Sequence, residues 1–337
     1  MKVRFNAKTV VASAAAAGLL AAGLFQVPAA HAARSTVVIH ETNAFTSLNT
    51  ATPDTNLTTN TDIGYMTGFG FNYYDDKKTL VPNTVLGTYK IVKNSAKDFR
   101  VSYTIKDGRL WSDGTPIDAR DLLLSHVLQS SVYSKAAGLG DPSDEKVTPA
   151  FYSINYGGVY DSHIVDVPTI SSDNMTITLK YDAPIPNWDL FGPSPSPAYT
   201  LLHIANGKKA LQSVADNNAA KDAIVKAIKD KDTATLKKIA KVWSDDYNID
   251  TIDSSTNPLL LVSNGAYLVK SAVKNASVTL TVNPKYNSGP KTTGAIDTVI
   301  FKFIGDGTAA TQALANGEID TYQGQATADA VAQLKAM

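Results

Sequence analysis

Short apolar runs with a two-residue alternation predict several β-strands along the chain. Residues 36–40 read TVVIH, a β-branched run typical of a buried strand. Residues 98–106 alternate apolar and polar side chains, which is typical of a half-buried strand. The same criteria predict further strands at 86–91, 175–181, 259–263, 266–270, 277–282 and 298–304.

Apolar positions spaced by three and four residues predict helices between these strands. One helix begins near Asp118 and buries a stripe that includes Leu122 and Val127. From 208 to 246 the composition shifts to Ala, Lys and Asp with helical spacing, so we expect two or three short helices. Their Lys-rich faces are interpreted as solvated surface. A last helix is predicted at 308–316.

Two segments lack either periodicity. Residues 43–61 are rich in Thr and Asn and are predicted to form a loop, and five prolines make 184–197 stiff and irregular. Strands and helices are therefore mixed along the chain without a visible repeat. This order predicts an α/β or mixed α+β fold with mixed sheets.

The first 32 residues have the three-part layout of a secretory signal peptide. Lys2, Arg4 and Lys8 precede an uncharged apolar run, and Ala30-His31-Ala32 is a small-x-small cleavage pattern. The alternative is an uncleaved membrane anchor, for which the Ala-rich run is short. We expect cleavage after Ala32 and an extracytoplasmic protein, periplasmic or released.

Charge and cysteine content narrow the possible functions. The 31 basic and 31 acidic side chains balance, and cleavage after Ala32 would remove three positive charges, leaving 28 − 31 = −3. The chain therefore has no excess of basic side chains of the kind that nucleic-acid-binding proteins carry. With 0 Cys, the chain cannot form disulfides, a Cys-ligated metal site or the usual bacterial lipid anchor.

No motif indicates catalysis or a metal or cofactor site. The segment Gly192–Ser196 lacks the final Gly of a serine-hydrolase elbow, and its prolines are incompatible with that turn. The histidines of the mature chain are isolated, so local spacing predicts no metal site. We therefore expect no catalytic residue, metal or cofactor. The 15 Tyr and the many Asn, Thr and Ser suit a concave small-molecule site.

Three stretches resemble the peptide/nickel-type extracytoplasmic solute-binding proteins, called family 5. Residues 110–122 (LWSDGTPIDARDL) resemble that family's W-S-D-G-x-P signature, which we interpret as a packing motif around a turn and a helix start. Residues 283–291 (NPKYNSGPK) and 296–320, which ends in GEID, resemble two later family elements. Asn264–Tyr267 (NGAY) stands where the family usually has G-T-G-P-Y.

The resemblance implies a two-lobed, periplasmic-binding-protein-like clamp that closes on its ligand. In peptide-binding members the segment after the first strand pairs with the peptide backbone like an added strand. Here the matching residues are Ala44, Phe45 and Thr46. Further candidates for the cleft wall are Trp188, Phe191 and Tyr267, and the alternative that these are ordinary core aromatics stays open.

The resemblance also implies a domain arrangement. We expect the signal peptide at 1–32, lobe I at 33–262 with a helical insertion at about 206–247, and the start of lobe II at 263–337. Family members are longer, so we expect most of the second lobe to be missing from this sequence.

The function that the resemblance implies is capture of short peptides or similar solutes for uptake by an ABC importer. The expected partners are the solute and the importer's permease, with the binding protein itself a monomer. One alternative is a sensor that presents ligand to a receptor through the same clamp. Another is a secreted hydrolase that uses scattered Asp residues.

Overall fold

The computed structural model describes residues 35–165, 167–190, 192–292 and 296–337. The predicted signal peptide at 1–32 lies outside these ranges. Ten strands are assigned in them: β1 (Thr36–Glu41), β2 (Asn72–Tyr74), β3 (Leu80–Pro82), β4 (Gly87–Ser95), β5 (Asp98–Ile105), β6 (Thr169–Ile170), β7 (Thr176–Tyr181), β8 (Tyr267–Val273), β9 (Ser277–Val282) and β10 (Thr298–Phe303).

Two four-stranded sheets carry the architecture of the described residues. The first sheet has the order β1-β10-β9-β8, with β1 and β10 parallel and the other neighbours antiparallel. The second sheet has the order β4-β5-β7-β6 and is antiparallel throughout. Strands β2 and β3 form a separate hairpin. The mixed first sheet agrees with the predicted fold class.

Helices of the described ranges connect and cover these sheets. They are α1 (Thr58–Thr67), α2 (Arg120–Val127), α3 (Ser131–Ala136), α4 (Val159–Ser162), α5 (Ala198–Ala205), α6 (Val214–Asp230), α7 (Thr233–Lys241), α8 (Gly307–Ala315) and α9 (Ala328–Lys335). A π-helical turn (Val242–Asp246) follows α7, and a short 3₁₀ helix (Pro258–Leu261) precedes β8. No helix of the part that the structure describes is long and apolar enough to cross a membrane.

Each sheet has its own hydrophobic cluster. The alternation predicted for β5 is confirmed, since Phe99, Val101 and Tyr103 are buried within the cluster of the second sheet. Helices α2, α5, α6 and α7 pack into that same cluster. The first sheet has a smaller cluster, to which Phe45 and Ile63 contribute from outside the sheet.

Most predicted elements form at or near their expected positions, but two predictions were wrong. Residues 259–263 are not a strand, because Pro258 opens a 3₁₀ turn whose backbone is capped by the side chain of Asn257. The segment 43–61 is not loop throughout, because α1 begins at Thr58. That helix is held by tertiary contacts, since its Ile63 is fully buried against the first sheet.

The first sheet joins segments from both sides of residue 262. Strand β1 pairs with β10 over six residues, from Thr36 with Thr298 to Glu41 with Phe303. The described residues all belong to one compact unit. The division into lobe I at 33–262 and lobe II from 263 stays a prediction.

Candidate functional site

Three chain segments converge at the carboxyl end of β1. Strands β1 and β10 run parallel and end together at Glu41 and Phe303. On the other side of β1, Thr321 bridges in parallel to Ile39, and its carbonyl accepts the backbone N–H of His40 at 3.3 Å. Ligands of open α/β sheets bind outside the carboxyl ends of parallel strands. This edge of the first sheet is therefore the candidate site.

A cavity of about 380 Å³ lies at this edge. Residues that follow β1, β10 and the Thr321 bridge line it, together with the start of α9: His40, Thr42, Ile304, Gly305, Asp306, Gly307, Thr308, Tyr322, Gly324, Gln325, Thr327, Asp329, Ala330 and Gln333. The lining is mostly uncharged and polar, with two carboxylates. Its volume lies at the small end of the roughly 300–1,000 Å³ typical of small-molecule sites.

His40 connects the three segments. Its ring is fully buried, with Nε2 2.9 Å from the carbonyl oxygen of Ile304 and Nδ1 3.2 Å from the backbone nitrogen of Gln323. A carbonyl only accepts and a backbone N–H only donates, so the proton of the neutral ring is on Nε2. The ring stacks on Tyr322 with a centroid distance of 5.3 Å. His40 thus fixes the floor of the cavity.

The predicted binding segment, Ala44–Thr46, leaves this edge without regular secondary structure. Asn60 of α1 holds its end, accepting from the backbone N–H of Thr46 at 3.0 Å and donating to the Thr46 hydroxyl at 2.9 Å. The Phe45 ring is buried in the cluster of the first sheet. Any contact of Phe45 with a ligand would therefore use its backbone.

The backbone of Ala44 and Phe45 is the unusual feature of this segment. In the ranges that the structure describes, their N–H and C=O groups make no hydrogen bond with the protein. Backbone polar groups of folded proteins are nearly always paired with protein or with water. A segment that is anchored at both ends and unpaired in between can accept an added strand.

Trp188 and Tyr267, two of the three aromatic candidates, do not lie together at this edge. Trp188 packs edge-on against Tyr89 (5.6 Å between ring centroids) at the cluster of the second sheet. Tyr267 opens β8, at the opposite edge of the first sheet from β1, and its hydroxyl donates to the carbonyl of Ile296 at 2.9 Å. Phe191 lies outside the described residues. The contacts of Trp188 and Tyr267 favour the core interpretation, and their role in binding stays a prediction.

An acidic pair beside the site was not predicted from the sequence. Glu41 is buried, its Oε2 accepts from the Thr59 hydroxyl at 2.9 Å, and its Oε1 has no partner among the described residues. Burial, reinforced by the negative charge of Asp62, raises the pKa of Glu41 to about 7. Burial also raises the pKa of Asp62. The sequence feature that could have indicated this pair is the position of Glu41 directly after an apolar strand.

The W-S-D-G segment has the predicted packing role. Trp111 is buried within the cluster of the second sheet, and its indole N–H donates to Oδ2 of Asp121 at 3.2 Å. The same carboxylate accepts the backbone N–H of Asp118 at 3.0 Å and so supports the start of α2. None of these residues lines the cavity at the candidate site.

The fold of this chain is similar to that of several solved binding proteins. A periplasmic EDTA-binding protein, EppA, aligns with a TM-score of 0.62 and 20% identity, over 89% of this chain and 45% of that chain. MoaA from A. tumefaciens R10, solved with mannopinic acid, aligns with a TM-score of 0.55 and 16% identity, over 90% of this chain and 48% of that chain. An oligopeptide-binding protein from Thermus thermophilus, solved with a pentapeptide, aligns with a TM-score of 0.53 and 16% identity, over 85% of this chain and 44% of that chain. The chain thus spans about half the length of these structures.

The sequence itself identifies the family. No curated protein matches the chain. The family model described as bacterial extracellular solute-binding proteins, family 5 (middle), matches residues 81–337, which is more than half of the sequence. The chain therefore belongs to the family 5 bacterial extracellular solute-binding proteins.

Proposed function

We propose that the protein captures short peptides outside the cytoplasm for uptake by an ABC importer. The observation that carries this proposal is the backbone of Ala44 and Phe45, which has no hydrogen-bond partner in the described ranges and lies beside the cavity at the carboxyl edge of the first sheet. Pairing through the backbone accepts peptides of many sequences, because every residue carries the same N–H and C=O groups. The fold shared with the oligopeptide-binding protein from Thermus thermophilus supports the peptide as ligand.

The experiment compares two substitutions at one position. Proline at position 44 removes the N–H group, whereas valine keeps it. We expect Ala44→Pro to weaken binding of a pentapeptide to the full chain by about tenfold, the loss of one hydrogen bond, as measured by calorimetry. Ala44→Val is the matched control and is expected to bind within about threefold of the original chain.

A second arm leaves the protein unchanged. Methylation of alternate backbone nitrogens of the same pentapeptide removes its donors and blocks strand pairing. Equal affinity for the methylated and unmethylated peptide would reject backbone pairing as the mode of recognition. Failure of all peptides to bind would reject the peptide as the ligand class.

The proposal includes export of the protein and an absence of catalytic function. Cleavage after Ala32 by a signal peptidase would give a mature chain that begins at Ala33, and mass spectrometry of the secreted protein tests this directly. The permease of an ABC importer is the proposed partner, and the binding protein acts as a monomer that returns its peptide chemically unchanged. Loss of peptide uptake on deletion of the gene would support transport over sensing.

A further inference from the structure

Another cavity, the inter-cluster cavity, lies between the hydrophobic clusters of the two sheets. Its volume is about 220 Å³, and it shares no lining residue with the cavity at the candidate site. Leu201, Trp243 and Val262 line it from the cluster of the second sheet. Val269 lines it from the cluster of the first sheet. The two clusters therefore meet here without filling the space between them.

Rigid segments form the walls of the inter-cluster cavity. Pro195–Pro197 form part of the lining, and the backbone N–H of Ser196 donates to the carbonyl of Asp121 at 2.9 Å. Ser263, which also lines the cavity, is tied to Ser112 by two hydrogen bonds. Its N–H donates to the Ser112 hydroxyl oxygen at 3.1 Å, and its carbonyl accepts the Ser112 N–H at 2.9 Å. Because prolines and these bonds fix the backbone, the walls cannot easily collapse onto the space.

A π-helical turn places two aromatic side chains in the lining. Trp243 belongs to this turn, and Tyr247 directly follows it. The Trp243 ring packs edge-on against Phe151 with a centroid distance of 5.7 Å, and the Trp243 carbonyl accepts from the side chain of Asn49 at 2.8 Å. Irregular π-turns are frequent at functional sites. The aromatic wall is therefore positioned by contacts within the protein, before any ligand binds.

The lining is apolar apart from four polar residues, none of them charged: Asn49, Thr67, Ser196 and Ser263. The side chain of Asn49 is bonded to Trp243, the Thr67 hydroxyl donates to the carbonyl of Ile63 at 3.0 Å, and the Ser263 hydroxyl is fully buried. Ser196 differs, because it is half-buried and its hydroxyl has no hydrogen-bond partner among the described residues. This hydroxyl is the polar group available to a ligand.

We propose that the inter-cluster cavity binds a small uncharged aromatic molecule that carries one hydrogen-bonding group. The ring packs among Trp243, Leu201 and Leu261, and the polar group bonds to the hydroxyl of Ser196. Apolar cavities of about 150 Å³ hold benzene in other proteins, so a cavity of about 220 Å³ suits one ring or two fused rings. A charged molecule is disfavoured, because its charge would be buried without a counterion.

The test titrates the full chain with indole and with p-cresol by calorimetry. Both are uncharged rings with one hydrogen-bond donor. Tryptamine and indole-3-acetate keep the indole ring and add a positive or a negative charge. We expect the two uncharged probes to bind, and the two charged controls to bind at least about tenfold more weakly than indole.

Ser196→Ala tests the polar contact without adding volume to the cavity. We expect it to weaken indole binding by about two- to tenfold, the loss of one hydrogen bond. The matched control is N-methylindole, which has no N–H to donate, so its affinity should be the same for Ser196→Ala and the original chain. Equal losses for the two probes would show a general effect of the substitution and would contradict the contact with Ser196.

Leu261→Trp tests the location by placing a large ring in the cavity. We expect indole affinity to fall by about tenfold or more, because the added ring takes the space of the ligand. Leu268→Trp, at a half-buried position of β8 outside the lining, is the matched control and should bind indole normally. The proposal is overturned if neither uncharged probe binds, if the charged controls bind as tightly as indole, or if Leu261→Trp binds indole as tightly as Leu268→Trp.

Discussion

At the scale of single residues, Glu41 is the most perturbed acid beside the candidate site. It ends β1, immediately before the predicted binding segment, and it is 3% exposed. Its carboxyl receives one hydrogen bond from Thr59 and lies beside the carboxyl of Asp62, whose negative charge adds to burial in disfavouring the ionised form of Glu41. Protonation of Glu41 removes the repulsion and the cost of burying a charge.

This arrangement predicts that stability depends on pH through Glu41. Its pKa in the folded protein, about 7, lies above the value of 4.5 for an unperturbed Glu, so the folded state retains a proton that the unfolded chain has lost. The stabilisation is fully present below pH 4.5 and is lost as the pH rises through 7. We expect Glu41→Gln, which cannot ionise, to raise the free energy of unfolding at pH 8 by about 1–3 kcal/mol.

Urea unfolding between pH 4.5 and 8 measures this effect. The difference between Glu41→Gln and the original chain should shrink as the pH falls. Glu145→Gln, at an exposed position, is the control and should follow the original chain at every pH. A constant difference across the pH range would contradict the raised pKa of Glu41.

At the scale of elements, a buried ion network joins α2 to α6. Nζ of Lys221 lies 2.6 Å from Oδ2 of Asp121 and also donates to the carbonyl of Pro116 at 2.6 Å. Lys221 is 2% exposed. The composition of this region predicts that its lysines are solvated surface, and this prediction was wrong for Lys221. Lys221 is buried because it lies on the face of α6 that packs against α2. The composition of the segment does not indicate which face packs in this way.

Removal of Lys221 should therefore destabilise the protein strongly. Lys221→Met keeps the length of the side chain but leaves Asp121 as a buried charge without its counterion. We expect a loss of about 3–5 kcal/mol in the free energy of unfolding, measured by urea denaturation.

Lys226 gives a matched control on the same helix. It pairs with Asp230 one turn later, and both side chains are exposed. Lys226→Met is expected to cost less than about 0.5 kcal/mol. Similar losses for the two variants would show that the ion network contributes little.

At the scale of the whole molecule, strand and helix positions follow from local pattern, but their assembly does not. The alternation of apolar and polar residues predicted β5, and the β-branched run predicted β1. A strand buried on one face has alternating apolar residues, and a strand buried on both faces is an apolar run. The parallel pairing of β1 with β10 joins residues more than 250 positions apart. No local signal specifies that pairing, and the family resemblance did not supply it either.

The site was predicted less completely than the fold. The family resemblance predicted a binding role for Ala44–Thr46. These residues do follow β1 at the carboxyl edge of the first sheet. Trp188 and Tyr267 were chosen for their aromatic character, which core packing and ligand binding share. Their distribution over the two clusters, and the burial of Glu41, depend on tertiary contacts that one sequence does not reveal.

Amide hydrogen exchange at Ala44 and Phe45 tests the central proposal most directly. Neither N–H group has a hydrogen-bond partner among the described residues, so both should exchange rapidly. If a peptide pairs with this segment, saturating pentapeptide should slow exchange at one or both positions, while the Thr46 amide, already bonded to Asn60, changes less. Bound peptide with unchanged exchange at Ala44 and Phe45 would contradict strand pairing at this segment.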